Sequence, residues 1–105
     1  MSRLETLAVT VEVIGWVTRF VGGDGSGRRE YAEPIVPGLT VREALRRLSA
    51  RYAELDEALW DVSKKELGEY IEVLVNDAML GIAHTLDSEL KPGDRITLVG
   101  QYMGG

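Results

Sequence analysis

The chain has 105 residues, 45% of them apolar by type and 28% charged, with a net charge of −5, one histidine and no cysteine. That length supports one core burying roughly 60–68% of the unfolded surface, and the missing cysteines exclude disulfides, thiolate nucleophiles, zinc knuckles and cysteine-held iron–sulfur clusters. Seventeen acidic against twelve basic residues disfavour a nucleic-acid backbone as partner, no apolar run approaches the ~20 residues of a membrane span, and residues 1–6 lack a leader pattern; a soluble, cytoplasmic protein that binds neither nucleic acid nor membrane is expected.

Leu7, Val9, Val11 and Val13 alternate with Ala8, Thr10, Glu12 and Ile14, the period-two pattern of a strand rich in β-branched residues. The apolar run continues through Trp16, Val17, Phe20 and Val21, which reads as a prolongation of that first strand. Gly22-Gly23-Asp24-Gly25-Ser26-Gly27 breaks it, and residues 31–36 resume an extended pattern, so a hairpin with a long flexible connection is expected. Pro34 cannot donate to a ladder, which makes the second strand short or an edge strand.

Thr40-Val41-Arg42-Glu43 is a capping-box sequence, in which a hydroxyl and a carboxylate each satisfy a backbone N–H at a helix start. Val41, Ala44, Leu45, Leu48 and Tyr52 follow at spacings of three and four, with Arg42, Arg46, Arg47 and Arg51 on the other face, predicting a helix of three to four turns. Leu55, Ala58, Leu59 and Val62 extend the period into a short second helix that takes in Trp60, and residues 64–69 read as a loop. Ile71, Val73 and Val75 alternate with Tyr70, Glu72 and Leu74 in a third strand, and Asn76-Asp77 has turn chemistry. Residues 79–82 are a short fourth segment, Lys91-Pro92-Gly93-Asp94 suits a type II turn, and residues 95–99 form the last strand. One amphipathic helix inserted among strands implies an α+β roll of about five strands, with the first and last side by side at its centre.

The chemical signals within this body are weak. His84 is the sole histidine and has no cysteine partner, so it reads as an ordinary packed or surface residue and not as a base or metal ligand. Gly22 and Gly27 have phosphate-loop spacing, but Arg28 and Arg29 stand where Lys and Ser/Thr are needed, and a strand follows in place of a helix N-terminus. The loop therefore reads as a mobile hairpin connection. Trp16, Phe20, Trp60, Met79 and Leu80 are candidates for a docking surface, with the core the expected home of most of them. Tyr102 and Met103 lie beyond the last strand and are expected to contact a partner. The strongest signal is Gly104-Gly105, because a carboxylate threaded into a narrow channel needs neighbours without side chains. From Gly100 onward six residues at ~3.3 Å each reach about 20 Å when extended.

The residues 71–77, then Leu86 and residues 86–99 with Lys91-Pro92-Gly93-Asp94, ending in Gly104-Gly105, resemble the prokaryotic sulfur carriers, the molybdopterin synthase small subunit and the thiamine-pathway carrier among them. The helix start Thr40-Val41-Arg42-Glu43-Ala44-Leu45 is similar as well. The resemblance implies a ubiquitin-like β-grasp domain over residues 1–99 and a flexible tail over residues 100–105. It also implies reaction at Gly105, whose carboxylate a ubiquitin-activating-type enzyme adenylates with ATP before a sulfur donor converts it to a thiocarboxylate, while Gly104, Met103 and Tyr102 contact partners. The chain then binds no cofactor of its own and acts as a sulfur donor more than as an enzyme. Its acceptor would be an enzyme such as the molybdopterin synthase large subunit. Cysteine, thiamine or tRNA thiolation, and conjugation to target lysines as a ubiquitin-like modifier, are the alternatives. Departures from the family pattern lie in Gly100-Gln101-Tyr102-Met103, where many relatives are Pro-rich, and in the Gly-rich hairpin.

Overall fold

A computed structural model describes residues 7–101. Five strands form one mixed sheet: β1 (Ala8–Ile14), β2 (Arg28–Pro34), β3 (Ile71–Val75), β4 (Ala78–Met79) and β5 (Arg95–Gly100), in the order β2-β1-β5-β3-β4. β1 runs antiparallel to β2 and parallel to β5, and β5 runs antiparallel to β3, so the expected neighbours β1 and β5 meet near the centre. Helices α1 (Val41–Ser49) and α2 (Ala53–Leu59) and a 3₁₀ segment (Gly15–Val21) supply the rest. This is the ubiquitin-like β-grasp fold expected from the sequence.

The core follows from the strand alternation. Val9, Val11 and Val13 of β1, Ile71, Val73 and Val75 of β3, and Ile96 and Leu98 of β5 are buried in one cluster with Val41, Ala44, Leu45 and Leu48 of α1 and Leu55 and Leu59 of α2. Burying such a side chain is worth about 1.5–3 kcal/mol against leaving it in water, so the alternating valines fix the register of β1. The α1 cap forms as its residues require: the Thr40 hydroxyl accepts from the Glu43 N–H at 3.1 Å, and the Glu43 carboxylate accepts from the Thr40 N–H at 3.0 Å. Asn76 and Asp77 both have positive φ, 51° and 70°, making the tight β3–β4 turn. Gly93 has a φ of 89° and the Asp94 N–H bonds the Lys91 carbonyl at 3.0 Å, closing the turn before β5. Pro34 ends β2, an edge strand.

Five expectations are corrected. The first strand stops at Ile14, because Gly15 takes a φ of 70° and turns the chain into the 3₁₀ segment. Val17 and Val21, four apart, are buried there, a helical spacing embedded in what looked like a continuing strand. β2 begins at Arg28, three residues before the apolar pattern, since its pairing with β1 runs back to Ile14↔Arg28. The periodic stretch around Tyr52 is split: α1 has 9 residues, and Tyr52, extended at φ −137° and ψ 100°, is the N-cap of α2. Trp60 and Val62 lie beyond α2, Trp60 buried and Val62 fully exposed. Of residues 79–82 only Met79 is in a strand, because Gly81, at a φ of 100°, belongs to the turn that follows β4.

The exit of the last strand

The expected reacting and partner-binding residues Tyr102, Met103, Gly104 and Gly105 lie outside the described residues. The structure does define where the chain hands over to them. β5 takes in Gly100, one residue more than expected, paired to Ile71 of β3. The Gln101 N–H then donates to the Tyr70 carbonyl at 2.7 Å. On the other side the β1–β5 pairing ends at Val13↔Leu98, and the 3₁₀ segment takes over. A methyl group placed on Gly100 would overlap the Trp16 indole, which lies directly on that glycine.

Trp16 is held by the turn at Gly15 and by Phe20, whose ring meets it edge-on at 5.8 Å and 77°. It remains 42% exposed. Of the other docking candidates, Trp60 is buried, Phe20 and Leu80 are half-buried against the core, and Met79 is exposed at the end of the sheet. Trp60 is fixed by polar contacts that a sequence does not announce: its indole N–H donates to the Ser49 hydroxyl at 3.1 Å, Ser49 donates to Asp56 at 2.9 Å, and the Arg46 guanidinium sits 4.6 Å from the ring.

The sheet face turned away from the core carries a charge network. Glu12 is buried there, held by Arg28 at 2.7 Å and Arg95 at 3.4 Å, and its carboxylate accepts from the Thr97 hydroxyl at 3.2 Å. Glu30 joins the same two arginines from β2. A buried carboxylate with three partners orders β2, β1 and β5 relative to one another. Beside α1, a hydrogen bond from Arg42 and its charge hold the Asp87 carboxyl below the usual range. Burial raises the Tyr31 hydroxyl, with Tyr52 adding to the effect. His84 is half-buried and its Nδ1 is enclosed without a partner among the described residues. No three His, Cys, Asp or Glu side chains come together as a metal site among those residues.

The Gly-rich connection leads into the strand β2 and not into a helix N-terminus, as expected, but its organisation is specific. The Thr18 hydroxyl donates to the Gly15 carbonyl at 2.7 Å and accepts from the Gly25 N–H at 3.0 Å, while the Gly23 N–H reaches the Thr18 carbonyl at 2.7 Å. Thr18 and the contact between Trp16 and Gly100 were both missed in the sequence. The available signal was a glycine in a strand, which marks close approach of another group.

Residues 11–105 match the family model described as the ThiS family. The chain belongs to the ThiS family. ThiS-family chains are ubiquitin-like sulfur carriers, and the solved structures agree on the fold. SAMP1 from Haloferax volcanii superimposes with a TM-score of 0.72 at 20% identity, covering 93% of this chain and 99% of that one. Urm1 from Trypanosoma brucei gives 0.71 at 22% identity, covering 94% and 96%. A chain of the Amycolatopsis orientalis BexX/CysO complex is 29% identical, with a TM-score of 0.66, and 93% and 100% of the two chains are covered. No curated protein matches this ThiS-family sequence. Among the described residues no helix is long and apolar enough to cross a membrane.

Proposed function

We propose that this ThiS-family chain carries sulfur on Gly105. The carboxylate attacks the α-phosphate of ATP on a ubiquitin-activating-type enzyme, pyrophosphate leaves, and an acyl adenylate forms. A sulfide-level donor then attacks the acyl carbon, the carbon–sulfur bond forms, and AMP departs with the bonding pair of the broken C–O bond. The donor's proton is released, leaving a thiocarboxylate. The observation that carries the reading is the family match running from residue 11 through Gly104-Gly105. The fold supports it, because β5 delivers the chain at Gln101 from the middle of the sheet. The partners are the adenylating enzyme, the sulfur donor and an acceptor enzyme in the cytoplasm. The BexX/CysO complex, 29% identical to this chain in the matched subunit, is a related assembly of two proteins.

Intact-mass analysis after incubation with a ubiquitin-activating-type enzyme, ATP and sulfide tests it. Exchange of one oxygen for sulfur on Gly105 is expected, and an unchanged mass sinks the reading. Deleting Gly105 is expected to abolish the exchange while leaving the urea unfolding midpoint in place. The first acceptor to test is the molybdopterin precursor with its synthase large subunit, followed by the cysteine, thiamine and tRNA routes. Gly-Gly remnants on lysines of other proteins would identify the same adenylate as a route to conjugation.

A further inference from the structure

Gly100 lies in regular strand backbone, paired with Ile71, so no left-handed angle calls for a glycine there. What calls for it is the Trp16 indole, which occupies the space a side chain would need. In β5 the residues 96, 98 and 100 share one face, and Ile96 and Leu98 on that face are buried without exposure. Trp16 therefore closes the core side of the sheet at its last paired residue. Yet 42% of the side chain is still open to solvent, while Trp60, the other tryptophan, is 3% exposed. The Gly15 turn and the Phe20 ring hold it in this half-open position.

The position has a geometric consequence that rests on the proposed reaction at Gly105. Four residues separate Gln101 from the end of Gly105, and extended they span about 13 Å. An enzyme that encloses those four in a channel brings the rim of that channel to within one residue, ~3.3 Å, of Gln101. The group standing at that point on the core side of the sheet is the half-open indole. Tryptophan is among the residues enriched at interface hot spots, because it buries a large rigid area at little cost in conformational entropy.

We propose that Trp16 is a positioning residue of the carrier: it seats the root of the tail at Gly100 and its open face is covered by the channel rim of the adenylating enzyme. Its contribution is to docking, so its loss raises KM for the carrier and leaves kcat nearly unchanged.

The test uses the full chain and the enzyme that adenylates it in the mass assay. Trp16→Ala is expected to raise KM in pyrophosphate release about thirtyfold or more, the size of an interface hot spot, with kcat within about twofold. Trp16→Phe is expected to recover part of the loss, since a smaller ring still lies on Gly100. In chain labelled with 5-fluorotryptophan, unlabelled enzyme is expected to shift the Trp16 fluorine resonance and remove its H₂O/D₂O sensitivity, leaving the resonance of the buried Trp60 unshifted. This readout needs no variant to fold. If the wild-type chain is adenylated but Trp16→Ala keeps its KM, or the Trp16 resonance stays solvent-sensitive at saturating enzyme, the role of Trp16 is overturned and the sulfur-carrier reading stands. If the wild-type chain is never adenylated, both fall.

Discussion

Replacing Thr18 by valine isolates what holds the β1–β2 connection. The side chain is fully buried, and valine keeps its volume and branching, so the change is confined to the hydroxyl. Three contacts are lost: the hydroxyl proton's bond to the Gly15 carbonyl at 2.7 Å, its longer shared approach to the Ser26 carbonyl at 3.3 Å, and the bond accepted from the Gly25 N–H at 3.0 Å. A net hydrogen bond is worth ~0.5–1.5 kcal/mol, and a polar group left buried without a partner costs ~1–3 kcal/mol. Gly15 and Gly25 are both half-buried, so water reaches part of what is left open. The expected cost is then about 2 kcal/mol, or a fall of about 8–16 °C in Tm for a domain of this size. Urea unfolding followed by far-UV circular dichroism measures it as a lower midpoint at an unchanged slope. Thr18→Ser keeps the hydroxyl and deletes one methyl, for an expected loss near ~1 kcal/mol. A Thr18→Val protein within ~0.5 kcal/mol of wild type, or a serine variant as damaged as the valine one, would refute the hydrogen-bond account and assign the stability of the loop to packing.

Ser49→Ala leaves the Trp60 indole N–H buried without an acceptor and is expected to cost ~1–3 kcal/mol, measured by urea unfolding. The same variant frees Asp56 from the Ser49 hydroxyl and loosens α1 against α2. Asp87, held below its ordinary value by Arg42, contributes stability that is complete above the unfolded carboxyl value of ~3.9 and is lost as pH falls through the lower folded value. Asp87→Asn is therefore expected to flatten the rise of stability with pH below about pH 4, followed by thermal unfolding across that range. Part of the slope persists in the variant, because hydrogen bonds from Ser26 and Ser63 lower Asp24 and Asp61 in the same direction.

What was legible in the sequence is what one-dimensional pattern encodes. The β1 and β3 alternation, the Thr40–Glu43 cap, the Asn76-Asp77 turn and the Pro92-Gly93 turn each depend on residues within a few positions of one another, and each formed. The misreadings come from competition between periods or from distant partners. Trp16, Val17, Phe20 and Val21 fit a strand as a run and a helix as a spacing, and the single residue that decides, Gly15, has no neighbour that announces its positive φ. The break at Tyr52 has no Gly or Pro to mark it. Its site is set by Ser49 bridging to Asp56 and Trp60, and by Tyr52 packing edge-on to Tyr31 at 6.0 Å, contacts made only once α1 lies on the sheet. Glu12 is the same kind of case: an acidic residue in a valine-rich strand reads as the solvated face, but Arg28 and Arg95 arrive from β2 and β5 and bury it.

For the reaction proposed at Gly105, the position of β5 matters because the chain leaves the domain from the interior of the sheet. Leu98 is paired on both edges, to Val13 of β1 and to Val73 of β3, so the strand that bears the tail is held in the interior of the sheet. Tension on Gln101 is passed to both neighbours together, and the antiparallel pairing with β3 continues to Gly100, two residues farther than the parallel pairing with β1. Where β1 stops, Gly15 redirects the chain and Trp16 covers what a strand would have paired. The core ends at Gly100 with one edge hydrogen-bonded and one face capped by an aromatic ring. Substitutions in the buried core upstream of Gln101 are therefore expected to lower the unfolding midpoint, while changes at Trp16 and at the proposed reacting residue Gly105 are expected to show in the activation assay.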